Sequence, residues 1–316
     1  MNWMTQNKGK INRGNPIYKG KQPVRVLHYM NLFIFQNSHP TFSKQLTDAF
    51  TKDGFSKTID IIYEDEPIKT PYIRKVDKTI VLQETFLSYL WILVHNIYTL
   101  YVYKIDYPRI NKKAKLDIYE IDEEAITKAE ELFQYAKSLK VAFSKWDIEY
   151  FPNPEYYDAE KRDFIEQPNV FYSEAIKFIL AHEYIHAIKH INTSTEQTQL
   201  EMEIEADFEA INLLKKGIIP NSDHHLIIEG GIIFGVLSLL FLKKSTESKS
   251  HPNTEERLIN AILQLNIADN SIIWDFSLIA LKLWDEQFSH NFIWKDKTSS
   301  KEQFFEIIKQ IKQSHT

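Results

Sequence analysis

Apolar and polar positions divide this chain into extended and helical stretches of different character. Lys57 to Tyr63 (KTIDIIY) and Tyr72 to Leu82 (YIRKVDKTIVL) are rich in β-branched residues and punctuated by polar turns, which predicts strands of a small sheet. From Thr85 to Tyr103 the chain runs 19 residues without a charge, and from Gly230 to Leu242 another 13. Asp122 to Phe143 opens with acids in its first turn and repeats apolar residues at helical spacing, so it predicts an amphipathic helix. The tail predicts another, opening with a Ser-x-x-Gln capping box at Ser300 and carrying an apolar stripe through Phe304, Ile308 and Ile311. No internal repeat or low-complexity linker interrupts this order. The expectation is one α+β domain, predominantly helical with a small antiparallel sheet, over residues 26–316.

The two apolar runs need a membrane test. The second is shorter than the ~20 residues that span a bilayer and is flanked by Glu229, Lys243 and Lys244, so it reads as a buried or interfacial helix. The first is long enough, but it contains His95, Asn96, Ser88, Thr99 and four tyrosines. Such a segment inserts poorly, which predicts a central core helix and membrane association that is at most peripheral.

Between these runs lies the chemistry. Residues 178 to 190 read FILAHEYIHAIKH, and His182, Glu183 and His186 form an HExxH signature. Residues four apart share a helix face, so both imidazoles can converge on one ion with Glu183 beside them as a general base. The surrounding positions are uncharged or apolar, as in a helix buried on both sides with its metal face open to a cleft.

A catalytic zinc takes three protein ligands and keeps one position open, so a third ligand is required. The stretch EMEIEADFEAINLLKKG (Glu201 to Gly217) reads as a second helix ending at a glycine, after the polar connection NTSTEQTQ. Glu203 and Asp207 are four apart on it, an ExxxD pairing in which the glutamate ligates and the aspartate orients a ligand histidine. Glu201 and Glu205 have the same spacing, so periodicity alone leaves the register open. His190 extends the histidine stripe. On an unbroken helix it sits about 12 Å along the axis from His182, too far for a shared zinc, and it reads as a capping or solvent-facing residue.

Farther on, SHPNTEER places His251 before a proline and Arg257 six residues later. This resembles the H-P-x-x-x-x-R element of M48-type zinc peptidases, where an imidazole or guanidinium can stabilise an oxyanion.

The order FYSEAIKFILAHEYIHAIKH, EMEIEADFEA, SHPNTEERL resembles the Lit-type phage-exclusion peptidases, peptidase family U49. The similarity extends upstream through Lys78 to Tyr98 and the PNPEYY loop (Pro152 to Tyr157), covering most of residues 55 to 265. The resemblance implies a zincin-like, minigluzincin-type core with His182, His186 and Glu203 as Zn2+ ligands, Glu183 as base, and Asp207 orienting a ligand. It also implies an intracellular protease that a phage-derived activator triggers to cut a host translation protein such as elongation factor Tu. The expected mechanism has Glu183 take a proton from a zinc-acidified water and pass it to the leaving amine, while His251 or Arg257 steadies the oxyanion. Two other readings compete: an M48-like quality-control peptidase, and a zinc-stabilised sensor or binding protein without catalysis.

Composition narrows the setting. There is no cysteine among 316 residues, which excludes disulfide scaffolds and thiolate metal sites and leaves His and carboxylate as metal ligands. A formal charge of −5 carries no nucleic-acid signature. The start lacks an apolar signal core, so a cytoplasmic protein is expected. Residues 1–25 hold Lys8, Lys10, Arg13, Lys19, Lys21 and Arg25 with no acid, which predicts a basic, solvated arm.

Overall fold

The computed structural model describes residues 9–10, 21–24, 27, 35, 44–45, 48, 59–62, 65–157, 163–191, 197–219, 222, 224–295 and 299–315. Its strands are β1 (Gly9–Lys10), β2 (Ile59–Ile62), β3 (Tyr72–Arg74), β4 (Thr79–Gln83) and β5 (Tyr156–Tyr157). The antiparallel pair β3–β4 is joined by β2, which runs parallel to β4, so the order is β2-β4-β3. β1 and β5 form a separate antiparallel pair.

The stretch Tyr72 to Leu82 is therefore a hairpin. Its turn is set by Lys78 at φ 53 and by a two-pronged contact of the Arg74 guanidinium with the Asp77 carboxylate. That hydrogen bond holds the Asp77 carboxyl down at about 2. Charged turn chemistry thus splits a run whose β-branched content reads as one strand.

The rest is helical. α1 (Glu84–Tyr101) continues through a wide π-turn at Val102–Asp106 into α2 (Tyr107–Ala114), and α3 (Glu123–Ser138) follows, capped by Asp122 accepting from the Ala125 amide. Then come α4 (Asp163–Ile185), which leads into a second π-turn at His186–His190, α5 (Gln199–Lys215), α6 (His224–Leu237), α7 (Thr254–Leu265), α8 (Ile273–Phe288) and α9 (Ser300–Gln313).

Both apolar runs lie in this bundle. By length and composition, Glu84–Ala114 and His224–Leu242 could cross a membrane, but 94% of the apolar window in the first is buried inside the protein. A helix that is apolar all round is a central one. α1 packs against α3, α4 and α8.

α4 is the other central helix, packed against α1, α5 and α6. α6 approaches it through Gly230, Gly231 and Gly235, and the approach is close. A Cβ at Gly231 would lie 2.2 Å from the Glu174 Cβ, and one at Gly235 would lie 2.9 Å from the Phe178 ring. Two expectations shift by small amounts. The last helix is capped by Ser299 with Glu302, because Ser300 Oγ instead donates to Asp275 at 2.5 Å. Residues 22–24 are packed rather than solvated: Gln22 and Val24 are buried, and the amides of Gln22 and of the exposed Lys21 donate to the Glu84 carboxylate. Most of the basic arm lies outside the described residues.

α1 also buries His95 against Trp91, with ring centroids 4.9 Å apart, and burial holds its pKa down at about 3. In the unfolded chain the group titrates near 6.5, so protons bind the unfolded state more readily. Stability is fully present above pH 6.5 and falls toward pH 3, with a slope of up to about 1.4 kcal/mol per pH unit. Denaturant titrations between pH 7 and 4 should show this slope in the wild type and a shallower one in His95→Phe. Equal slopes would rule out His95 as the source.

Candidate active site

The last turn of α4 carries His182 and Glu183, the π-turn that follows opens with His186, and the first half of α5 carries Glu203 and Asp207. The register of α5 is set at its N-terminus. Thr198 Oγ1 accepts from the Glu201 amide while the Glu201 carboxylate accepts from the Thr198 amide, a reciprocal cap that occupies Glu201. Glu205 accepts from Lys189 Nζ at 2.7 Å. The competing Glu201/Glu205 pair is thereby excluded, and Glu203 and Asp207 face the histidines.

His182 Nε2 and His186 Nε2 are 3.1 Å apart, and each lies 3.3 Å from a Glu203 carboxylate oxygen. Ligands bonded at about 2.0–2.1 Å in a tetrahedron are separated by about 3.3–3.4 Å. The three groups therefore already stand at the spacing a single ion needs. Glu203 Oε2 is buried without a well-formed hydrogen bond, and such a carboxylate oxygen is costly to leave without a partner. The residues fit a zinc ion. His182, His186 and Glu203 would hold it.

Behind the cluster, Asp207 Oδ1 accepts from His182 Nδ1 at 2.9 Å, and Arg257 clamps the same carboxylate through Nε and Nη2, each at 2.7 Å. Burial opposes the charge on Asp207, but Arg257 and His182 outweigh it and hold the carboxyl well below the usual range. Burial likewise opposes the charge on Glu203, and the two histidines overcome it. His182 is raised to about 9, because its bonds to Asp207 and Glu203 outweigh the desolvation that would lower it. Glu183 has no such support. Its pKa is raised by burial, which His182 and His186 only partly offset.

Arg257, expected with His251 to steady an oxyanion or organise the site, has its guanidinium nearly buried and bonded to Asp207 through Nε and Nη2. His251 keeps the exposed place. Its side chain is 45% exposed, with Nε2 3.4 Å from Glu203 Oε1, and burial lowers its pKa.

A cleft of about 310 Å³ opens onto His182, Glu183, His251 and Arg257, with apolar walls that include Phe86 and Phe178. Thr70 and Pro71, just before the edge strand β3, also line it. A larger cavity of about 630 Å³, lined by His95, Tyr103 and Phe164, shares no lining residue with this cleft.

The reading of His190 as a capping or solvent-facing residue is also overturned. The π-turn ends the α-helical ladder at His186, with the Ile191 amide donating to the His186 carbonyl, and the His190 side chain is only 4% exposed. Its ring meets the outer nitrogen of His186 and a Glu205 oxygen, and His190 is not among the three groups at ligand spacing.

Two histidines and a buried glutamate at the end of one helix and the turn after it, with a carboxylate from the next helix, define a candidate metal centre of the HExxH kind. The model of the family Peptidase U49 matches residues 80–277, a span holding all of these groups, and the chain belongs to that family of peptidases. No curated protein and no solved structure matches the chain.

Proposed function

We propose that this peptidase is a zinc-dependent endopeptidase that acts inside the cell in anti-phage defence. The observation that carries the metal reading is the His182–His186–Glu203 cluster at ligand spacing beside a buried Glu183. Zinc in such a site supplies Lewis acidity, acidifying water and polarising a carbonyl.

The side chains do the rest. Burial raises the basicity of Glu183, which favours accepting a proton from the attacking water and later returning it to the leaving amine. His251, at the mouth of the cleft, is placed to donate to a developing oxyanion. Asp207 keeps the His182 proton on Nδ1, leaving Nε2 free to ligate. An extended substrate can add along β3, which lies at the edge of the sheet among the described residues and leads into the cleft at Thr70 and Pro71.

The biological part of the proposal rests on the likeness to Lit-type peptidases: a host translation protein, elongation factor Tu, as substrate and a phage-derived component as trigger. A proteome-wide search for new protein N-termini tests it, in bacteria expressing wild type or Glu183→Gln, each with and without phage challenge. New termini confined to infected wild-type cells, with elongation factor Tu among them, are expected. Termini that appear without infection would remove the trigger, and identical profiles throughout would favour a non-proteolytic sensor.

A further inference from the structure

The two histidines of the cluster are held from behind in different ways. His182 is oriented by Asp207, whereas the Nδ1 of His186 lies 2.9 Å from the Nδ1 of His190. On its other side, His190 Nε2 lies 3.2 Å from Glu205 Oε2. Glu205 is itself tied to Lys189 Nζ at 2.7 Å and to Gln197 Nε2 at 3.0 Å.

We infer that His190 is a positioning residue for His186 and that Glu205 fixes His190 in turn. The inference rests on the metal-centre reading above, and proton bookkeeping carries it. A neutral His186 that gives its Nε2 lone pair to a metal must carry its proton on Nδ1, so it donates to His190 Nδ1. That nitrogen must then be an acceptor, which places the His190 proton on Nε2, where Glu205 Oε2 accepts it. Every group in the file Glu205–His190–His186 has one consistent role. Both nitrogens of His190 are used, so it has none left to ligate.

The π-turn makes this possible. It widens the helix at the last turn, so that the His186 and His190 rings meet with centroids 5.0 Å apart and planes at 63°. The same turn brings Lys189 to Glu205 and Glu209 at 2.7 and 2.9 Å, tying the end of the helix to α5. The site thus has two outer supports, Asp207 with Arg257 for one histidine and His190 with Glu205 for the other.

Zinc affinity, measured on the purified full chain by competition with a chromophoric chelator, is the test. His190→Ala is expected to bind zinc about 10–100-fold more weakly, the usual cost of removing an outer partner of a ligand histidine. His190→Gln should regain most of the loss, since its amide oxygen can accept from His186 Nδ1. In zinc-loaded wild type, long-range proton–nitrogen spectra should show His190 protonated on Nε2 only and His186 on Nδ1.

Unchanged affinity in His190→Ala, or a His190 proton on Nδ1, would overturn the inference. His182→Ala separates the two levels of the claim. If it loses zinc while His190→Ala does not, only the positioning role fails. If wild type itself binds no zinc, the metal-centre reading fails first.

Discussion

Glu183→Gln is expected to keep its metal and to lose turnover by roughly 10²–10⁴-fold, the range over which a positioned acid–base group contributes. The amide has nearly the same shape, so it fits the same buried place, and Glu183 is not among the three groups at ligand spacing. What the amide cannot do is accept a proton. Because burial disfavours the carboxylate, the neutral variant should also be at least as stable as wild type. The comparison requires kcat on the substrate that the N-terminal search identifies, together with metal content and Tm. Retention of more than about a tenth of wild-type kcat would mean that Glu183 is not the base.

Arg257→Met should produce the largest loss of stability. The guanidinium makes two bonds to Asp207, and both side chains are almost buried. Removing one member of such a pair leaves the other as a buried charge with too few partners, which costs about 3 kcal/mol or more. His182 remains beside Asp207 and limits the damage. With Asp207 less firmly held, the orientation of His182 should loosen, and zinc binding should weaken by about 10–100-fold. The double variant Asp207→Asn with Arg257→Met should recover part of the stability but not the affinity, because it removes the lone charge without restoring the outer acceptor. Denaturant unfolding reads the first effect and chelator competition the second. A loss under about 1 kcal/mol in Arg257→Met would show that Asp207 does not depend on this partner.

Much of the site was legible because it depends on local spacing. His182, Glu183 and His186 share a face by helix spacing, and the apolar surroundings of 178–190 predicted the burial of His182 and Glu183. The register of Glu203 needed one further signal. That signal was in the chain, since Thr198 and Glu201 form a Thr-x-x-Glu cap, which commits Glu201 and leaves Glu203 to the next turn. The tail shows the same rule at finer resolution. Ser299 and Ser300 both offer a capping pattern, and the choice was made by Asp275, a residue far away in sequence that takes the Ser300 hydroxyl.

Other features were not legible, because they depend on partners distant in the chain. The π-turn at residues 186–190 goes with contacts of Lys189 to Glu205 and Glu209 on another helix, which no local pattern encodes. Arg257 could be placed near the site from its motif, but its commitment to Asp207 required the packing of α7 against α5. In the sheet, the parallel addition of β2 to β4 likewise depends on tertiary placement, whereas the turn at Asp77–Lys78 left a trace in its charges.

The central claim is that His182, His186 and Glu203 hold one zinc ion, and native mass spectrometry with elemental analysis of the purified chain tests it most directly. Wild type and Glu183→Gln should each carry one zinc per chain, and His182→Ala and Glu203→Ala should carry almost none while remaining folded. Full zinc retention in His182→Ala, or a folded wild type that takes up no zinc, would contradict the account.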